Sequence, residues 1–290
     1  VNALASSSPD SARRSPAEIA LIAAAYAIVG LMLVLPPVLV FTEALRSGLG
    51  AALASITDPD ALSAIKLTLE MTVAAVVINT SFGVLAGWLL AKYRFPGRGV
   101  LVALIEIPIS VSPVVAGLVW LLLFGTQGWW GEALNRVGIT IAFATPGILL
   151  ATLFVTFPFV TRTLLPLMEQ QGRDAEEAAT LLGASFWRIL WGVTLPEARW
   201  ALLSGVLLTT ARAMGEFGAV SVVSGHIPGL TETMPLHIET LYNGYQSVAA
   251  FSMAALLAIM ATATVGMRSL FEARIRREEP RKAETAGGGA

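Results

Sequence analysis

The sequence predicts an all-α, polytopic membrane protein with six transmembrane helices and both termini in the cytoplasm. Three observations lead there. Of 290 residues, 55% are hydrophobic and 13% charged, whereas soluble domains run near ~45–50% apolar and about 25% charged. Six apolar runs reach the roughly 20 residues that a helix needs to cross about 30 Å of hydrocarbon. Lys and Arg are also segregated. Fourteen of the 19 fall in segments sharing one side and three on the other, and an excess of this kind marks the cytoplasmic side.

The first run, Ile19–Phe41, carries no charge and is too long for a signal-peptide core, so it reads as an uncleaved span. The second is Leu67–Ala91, interrupted by Glu70 and Asn79. The third is Val100–Phe124, with Glu106 inside it, and Pro108 and Ser112-Pro113 suggest that it is kinked or broken. The fourth, Gly147–Met168, carries Arg162. The fifth, Trp200–Ser224, carries Arg212 and Glu216. The sixth, Val248–Met267, is uncharged. None alternates like a membrane β-strand of about ten residues. The expected organisation is a disordered cytoplasmic tail over residues 1–17, a transmembrane domain over 18–271, and a second disordered cytoplasmic tail over 272–290.

Composition also limits function. A net charge of −1 gives no basic excess for nucleic acid. The absence of Cys excludes disulfides, thiolate metal sites and a cysteine nucleophile. The two histidines, His226 and His237, share one outer loop without metal-ligand spacing. No catalytic constellation can be assembled, so an intramembrane enzyme is disfavoured. In the outer loop 125–146, Gly128-Trp129-Trp130-Gly131 suits an interfacial anchor.

The cytoplasmic stretch Glu169–Arg199 is too polar to span and too patterned for a spacer. Asp174-Ala175-Glu176-Glu177 opens like a helix N-terminus, where carboxylates suit the macrodipole. Gly183 interrupts, and Ser185 is placed to cap a second short helix over Phe186–Trp191. The pattern leaves Phe186, Trp187, Leu190 and Trp191 facing water. An apolar patch of that size marks a contact, either with the inner leaflet or with a protein.

Residues 177–196 read EAATLLGASFWRILWGVTLP. This resembles the EAA loop of bacterial ABC-importer permeases, with Glu177, Ala178, Ala179, Gly183, Leu195 and Pro196 in matching positions and Val193 in place of the usual Ile. NTSFGVLAGWLLAKYRFPGRG (79–99), SPVVAGLVWLLLFG (112–125) and ARAMGEFGAVSVVSGHIPGLTETMPLHIETLYNGY (211–245) are similar to the sulfate/molybdate permeases, and the last most to the W-type branch of sulfate/thiosulfate importers. The resemblance implies a type I, MetI-like permease fold in the bacterial inner membrane and a coupling helix in the loop. It implies a second, T-type permease, two copies of an ATPase subunit and a periplasmic sulfate/thiosulfate-binding protein. ATP and Mg would sit on the ATPase, and the chain would be no enzyme by itself. None of Lys66, Lys92 and Lys282 stands in a phosphate-binding loop, which accords with an ATPase on another polypeptide. The alternatives are a molybdate/tungstate permease and, in another class, an ion-coupled secondary transporter.

Charges within spans cost roughly 2.5–3.5 kcal/mol each at the helix centre. Arg212 and Glu216 are four apart on one helical face. They either neutralise each other in a packed interface or line the pathway, with Gly215, Ser112 and Pro113 as further candidates there. Arg162 reads as a snorkelling side chain, and Lys66 with Glu70 as a structural pair.

Overall fold

A computed structural model describes residues 15–287, with side chains given through Met267 and at Ser269. Every regular element among them is helical. Helix α1 (Pro16–Ala44) is opened by a capping box, with Ser15 accepting the Glu18 N–H and Glu18 accepting the Ser15 N–H. Helix α2 (Leu49–Ile56) is short, and α3 (Pro59–Lys92) is capped by Asp58. Then come α4 (Arg98–Ser110), α5 (Pro113–Phe124) and α6 (Gly131–Arg136). Helices α7 (Thr145–Thr156) and α8 (Pro158–Gln171) meet at Phe157, where Pro158 can offer no N–H. Helices α9 (Asp174–Leu181) and α10 (Phe186–Ile189) follow, and a π-helical turn (Leu190–Thr194) runs into α11 (Leu195–Met214). Helices α12 (Gly218–Val223), α13 (Met234–Asn243) and α14 (Ser247–Gly287) complete the chain.

Four stretches are long and apolar enough to cross a membrane: Pro16–Ala44, Pro59–Lys92, Thr145–Gln171 and Ser247–Met267. The third expected span is α4 plus α5, bent by 106° at Val111-Ser112, and counting the pair as one span makes five. Neither half alone reaches across, at about 20 Å and 18 Å of helical rise. The fifth expected run is not one helix. It ends at Met214, breaks over Gly215–Phe217 and resumes as α12. The stretch 225–247, expected as an outer loop carrying both histidines, is partly helical, because α13 lies within it. At the C-terminus, α14 continues to Gly287, so helix covers residues 272–287, where the sequence suggested a disordered tail. The Arg, Glu and Ala of that segment are good helix formers. Residues 1–14 and 288–290 of the two expected tails lie outside the described residues.

The helices touch through small residues. A Cβ on Gly83 of α3 would meet Val160 Cβ of α8 at 2.6 Å, and one on Gly87 would meet Leu164 Cβ at 3.3 Å. Gly205 of α11 closes on the same helix, where an added Cβ would lie 3.2 Å from Val160 Cα. Helix α8 is thus clamped between α3 and α11, with Val160, Leu164 and Met168 buried. Lipid gives apolar side chains no reason to leave it, so close backbone approach and dispersion hold such contacts. Asn79 adds a polar tie by donating to the Leu153 carbonyl (3.1 Å) and to Thr156 Oγ1 (2.8 Å). A second core joins α7, α12 and α13 around Ile148, Ala151, Val220 and Leu236. Thr68 of α3 accepts the Met234 N–H at 2.8 Å, which satisfies a donor at the start of α13.

Gly83→Leu should therefore force α3 off α8 and lower the melting temperature of the detergent-solubilised protein, an overpacking cost of about 1–3 kcal/mol or more. Gly30→Ala on α1, where nothing lies within 4 Å, should leave it unchanged.

Candidate functional site

The stretch 169–199 forms a compact projection at the basic end of the bundle. Gly172 (φ +69°) ends α8 and lets the chain turn. Helix α9 places Asp174, Glu176 and Glu177 in its first turn, as its macrodipole favours. It closes in a Schellman motif, in which Ala184 N–H reaches the Ala179 carbonyl (3.0 Å) and Gly183 N–H reaches that of Thr180 (2.9 Å). Gly183 sits at φ +79°, which explains glycine here: its Cβ would meet no atom within 4 Å, so the constraint is backbone conformation rather than room.

Two expectations need correction. Ser185 occupies the N-cap position of α10 but its side chain makes no capping hydrogen bond. The second helix is not a separate segment over Phe186–Trp191 either. It runs through the π-turn into α11 without a break. Pro196 follows directly on the π-turn and offers no N–H to the turn before it. Any displacement of α10 is therefore passed directly to α11.

The matched residues divide by role. Glu177 is exposed and lies 3.5 Å from Arg173 Nε. Ala178 is exposed and Ala179 half-buried, and Leu181 and Leu182 at the tip are each 89% exposed. Leu195 packs into the core formed by α8 and α11. Of the aromatic patch, Phe186, Trp187 and Trp191 are exposed as expected, whereas Leu190 is buried at 3% in the core that contains Val160 and Leu164.

The interaction that positions the loop was not foreseen. Lys92, the last residue of α3, is buried beneath α9. Its Nζ lies 3.4 Å from Glu176 Oε1 and donates to the Gly172 carbonyl. The Thr194 hydroxyl donates to the same Glu176 oxygen at 2.6 Å. One carboxylate thus joins α3, α9 and the π-turn. Beside it, Arg98 pairs with Glu169 and donates from Nε to the Leu90 carbonyl at 2.8 Å. Trp88 stacks edge-on against Tyr93 (5.1 Å) and Phe186 (4.9 Å), and Arg173 lies over Tyr93 at 5.7 Å. Adjacent acids at 176 and 177 were visible in the sequence, but nothing there distinguished the inward one from the outward one.

The second candidate group lies where two helix breaks meet. Arg212 Nη1 is 2.5 Å from Glu216 Oε2, and the buried Glu216 also accepts the Ala219 N–H at 2.9 Å. A Cβ on Gly218 would touch Pro113 Cβ at 3.0 Å, so the starts of α5 and α12 abut. Ser112 and Gly215 are exposed beside this junction. The pair thus neutralises itself and fixes the bend between α11 and α12. Lys66 and Glu70 form an exposed pair at 3.8 Å.

At the opposite end, His237 Nδ1 lies 2.9 Å from Glu232 Oε2, and Thr240 donates to Oε1. Burial pushes the Glu232 carboxyl up, but the bonds from His237 and Thr240 outweigh it and hold its pKa below the usual 4.5. This latch ties the loop preceding α13 to α13 itself.

Two outcomes follow. Lys92→Met leaves Glu176 without its buried partner, a change of about 3–5 kcal/mol. Limited proteolysis should then cut residues 172–184 faster, while Arg173→Met, at an exposed pair, should alter cleavage little. The stabilisation from ionised Glu232 is complete above the ordinary carboxylate pKa and is lost as pH falls through the lowered folded value. The melting-temperature gap between wild type and Glu232→Gln should therefore be constant near pH 7 and shrink only below about pH 4.5.

The family model described as the binding-protein-dependent transport system inner membrane component matches residues 83–277. The chain is 49% identical over 250 residues to the sulfate transport system permease protein CysW of Escherichia coli K12, covering 86% of each chain. It is 40% identical over 202 residues to the sulfate transport system permease protein CysT of the same organism, covering 70% of this chain and 73% of that one. Among solved structures, a chain of a bacterial alginate ABC transporter in complex with an alginate pentasaccharide-bound periplasmic protein superposes with a TM-score of 0.72. It has 15% identity and covers 89% of this chain and 94% of that one.

Proposed function

The chain belongs to the family of inner membrane components of binding-protein-dependent transport systems, and on that premise we propose that it is the permease subunit of an ATP-driven sulfate importer. It forms half of a translocation pathway in a bacterial plasma membrane, paired with a T-type permease. Two copies of an ATPase subunit dock on the cytoplasmic side, and a periplasmic protein delivers sulfate or thiosulfate to the outer loops. ATP is bound with Mg and hydrolysed on the ATPase, not on this chain. The W-type and T-type relatives, both named for sulfate transport, support sulfate over molybdate or tungstate.

The observation that carries this reading is the build of the basic-end loop. Its tip offers Leu181 and Leu182 to a partner, its base is fixed by Lys92, Glu176 and Thr194, and its far side is continuous with α11. A partner that grips the tip moves α10 and α11 as one piece. Small residues at Ala178, Ala179 and Gly183 allow close backbone approach, and Glu177 is free to turn from Arg173 to a cationic group of the partner.

The test is ATP-driven uptake of radiolabelled sulfate by the assembled complex in vesicles, with molybdate as competitor. Gly183→Leu forces a side chain into left-handed backbone, costing roughly 1–2 kcal/mol, and distorts the tip. Sulfate uptake should fall at least about tenfold, a difference of about 1.4 kcal/mol in coupling, while membrane insertion is unchanged. Normal uptake in that variant would refute coupling through this loop.

A further inference from the structure

Within the six apolar runs, two charged side chains make no hydrogen bond or ion pair among the described residues: Glu106 of α4 and Arg162 of α8. They lie at one level. Glu106 is eight residues from the start of α4, about 12 Å along the axis, and Arg162 is nine residues from the end of α8, about 14 Å. Those two helix ends are tied together by the Arg98–Glu169 pair, so both depths are measured from a common origin. Glu106 and Arg162 line one small cavity of about 20 Å³ between the helices, the size of a single water. Thr161, whose hydroxyl is buried without a partner, lines it too.

The helix face around Arg162 is built for water rather than lipid. Val160, Leu164 and Met168 turn inward, whereas Arg162, Pro166, Glu169 and Gln170 form an exposed stripe leading to the basic end. Pro166 has no N–H to give the Arg162 carbonyl, so a side-chain charge and a freed backbone acceptor coincide. Hydrocarbon satisfies neither. Arg212, the other cation within a span, is already committed to Glu216 at 2.5 Å.

We propose that Arg162 and Glu106 line the inner half of the translocation pathway in the assembled transporter, with Arg162 as a transient contact for the oxyanion and Glu106 as its counter-charge. This deepens the reading of the chain as an oxyanion permease and rests on it. A fixed, unopposed guanidinium would hold a dianion too firmly for passage. A carboxylate sharing the same cavity competes for the guanidinium as the anion departs, which keeps the site weak enough to empty.

The chain contains no cysteine, so Arg162→Cys and Glu106→Cys can each be probed in the assembled complex, with the other subunits made cysteine-free. A membrane-impermeant thiosulfonate applied to the cytoplasmic face should label both, and sulfate should slow labelling at 162. Ile28→Cys, on the exposed apolar surface of α1, should stay unlabelled. Arg162→Gln should cut sulfate uptake about tenfold, and Arg162→Gln combined with Glu106→Gln should not restore it. Absence of labelling at both cysteines, or wild-type uptake by the doubly neutral variant, would overturn the proposal. Wild-type vesicles that fail to take up sulfate would instead remove the sulfate assignment, and the labelling pattern would still report whether the residues face water.

Discussion

A lysine ammonium taken out of water at the end of α3 sets the geometry of the projection at the basic end. Lys92 can remain there only because Glu176 and the Gly172 carbonyl surround it, and Glu176 in turn holds Thr194. Three segments distant in sequence thus become one rigid body. Such a pair is poor at adding net stability, since desolvation offsets much of the attraction. Its contribution is to permit a single arrangement, because removing either partner leaves a buried charge.

The membrane-embedded part follows a different rule. Without a hydrophobic driving force between helices, packing depends on how closely backbones approach, and Gly83, Gly87 and Gly205 set that distance around α8. The helices break at Val111-Ser112 and at Gly215–Phe217, and at the second break a polar side chain meets the freed backbone. Glu216 accepts the Ala219 N–H and holds Arg212 in the same bend. Breaks of this kind are tolerated in a membrane only where protein or a water-filled cavity covers them, and these two lie against each other.

Much of this was legible in the chain. Apolar length indicated the long helices, although two of the six expected runs are broken, Gly183 indicated the turn that closes α9, and the Glu177–Pro196 pattern carried the likeness to a docking loop. What could not be read was direction. Glu176 and Glu177 are chemically equal and adjacent, yet one is drawn under the helix by Lys92 and the other faces solvent. Leu190 resembled its exposed aromatic neighbours, yet it is buried in the core that contains Val160 and Leu164. Its burial is decided by packing between segments, which spacing along the chain does not reveal.

The sequence by itself therefore determined which segments are apolar enough to cross a membrane and how Lys and Arg divide among the stretches that join them, because transfer free energy and charge asymmetry are sums over residues and need no partner. Only the tertiary structure decided which charges are neutralised. Arg212 is paired with Glu216 across the break that ends α11, Lys92 finds its carboxylate across more than eighty residues, and Glu106 and Arg162 share a cavity without pairing. An ion's energy depends on what lies within a few ångströms of it, and that distance is set by packing between helices rather than by position along the chain.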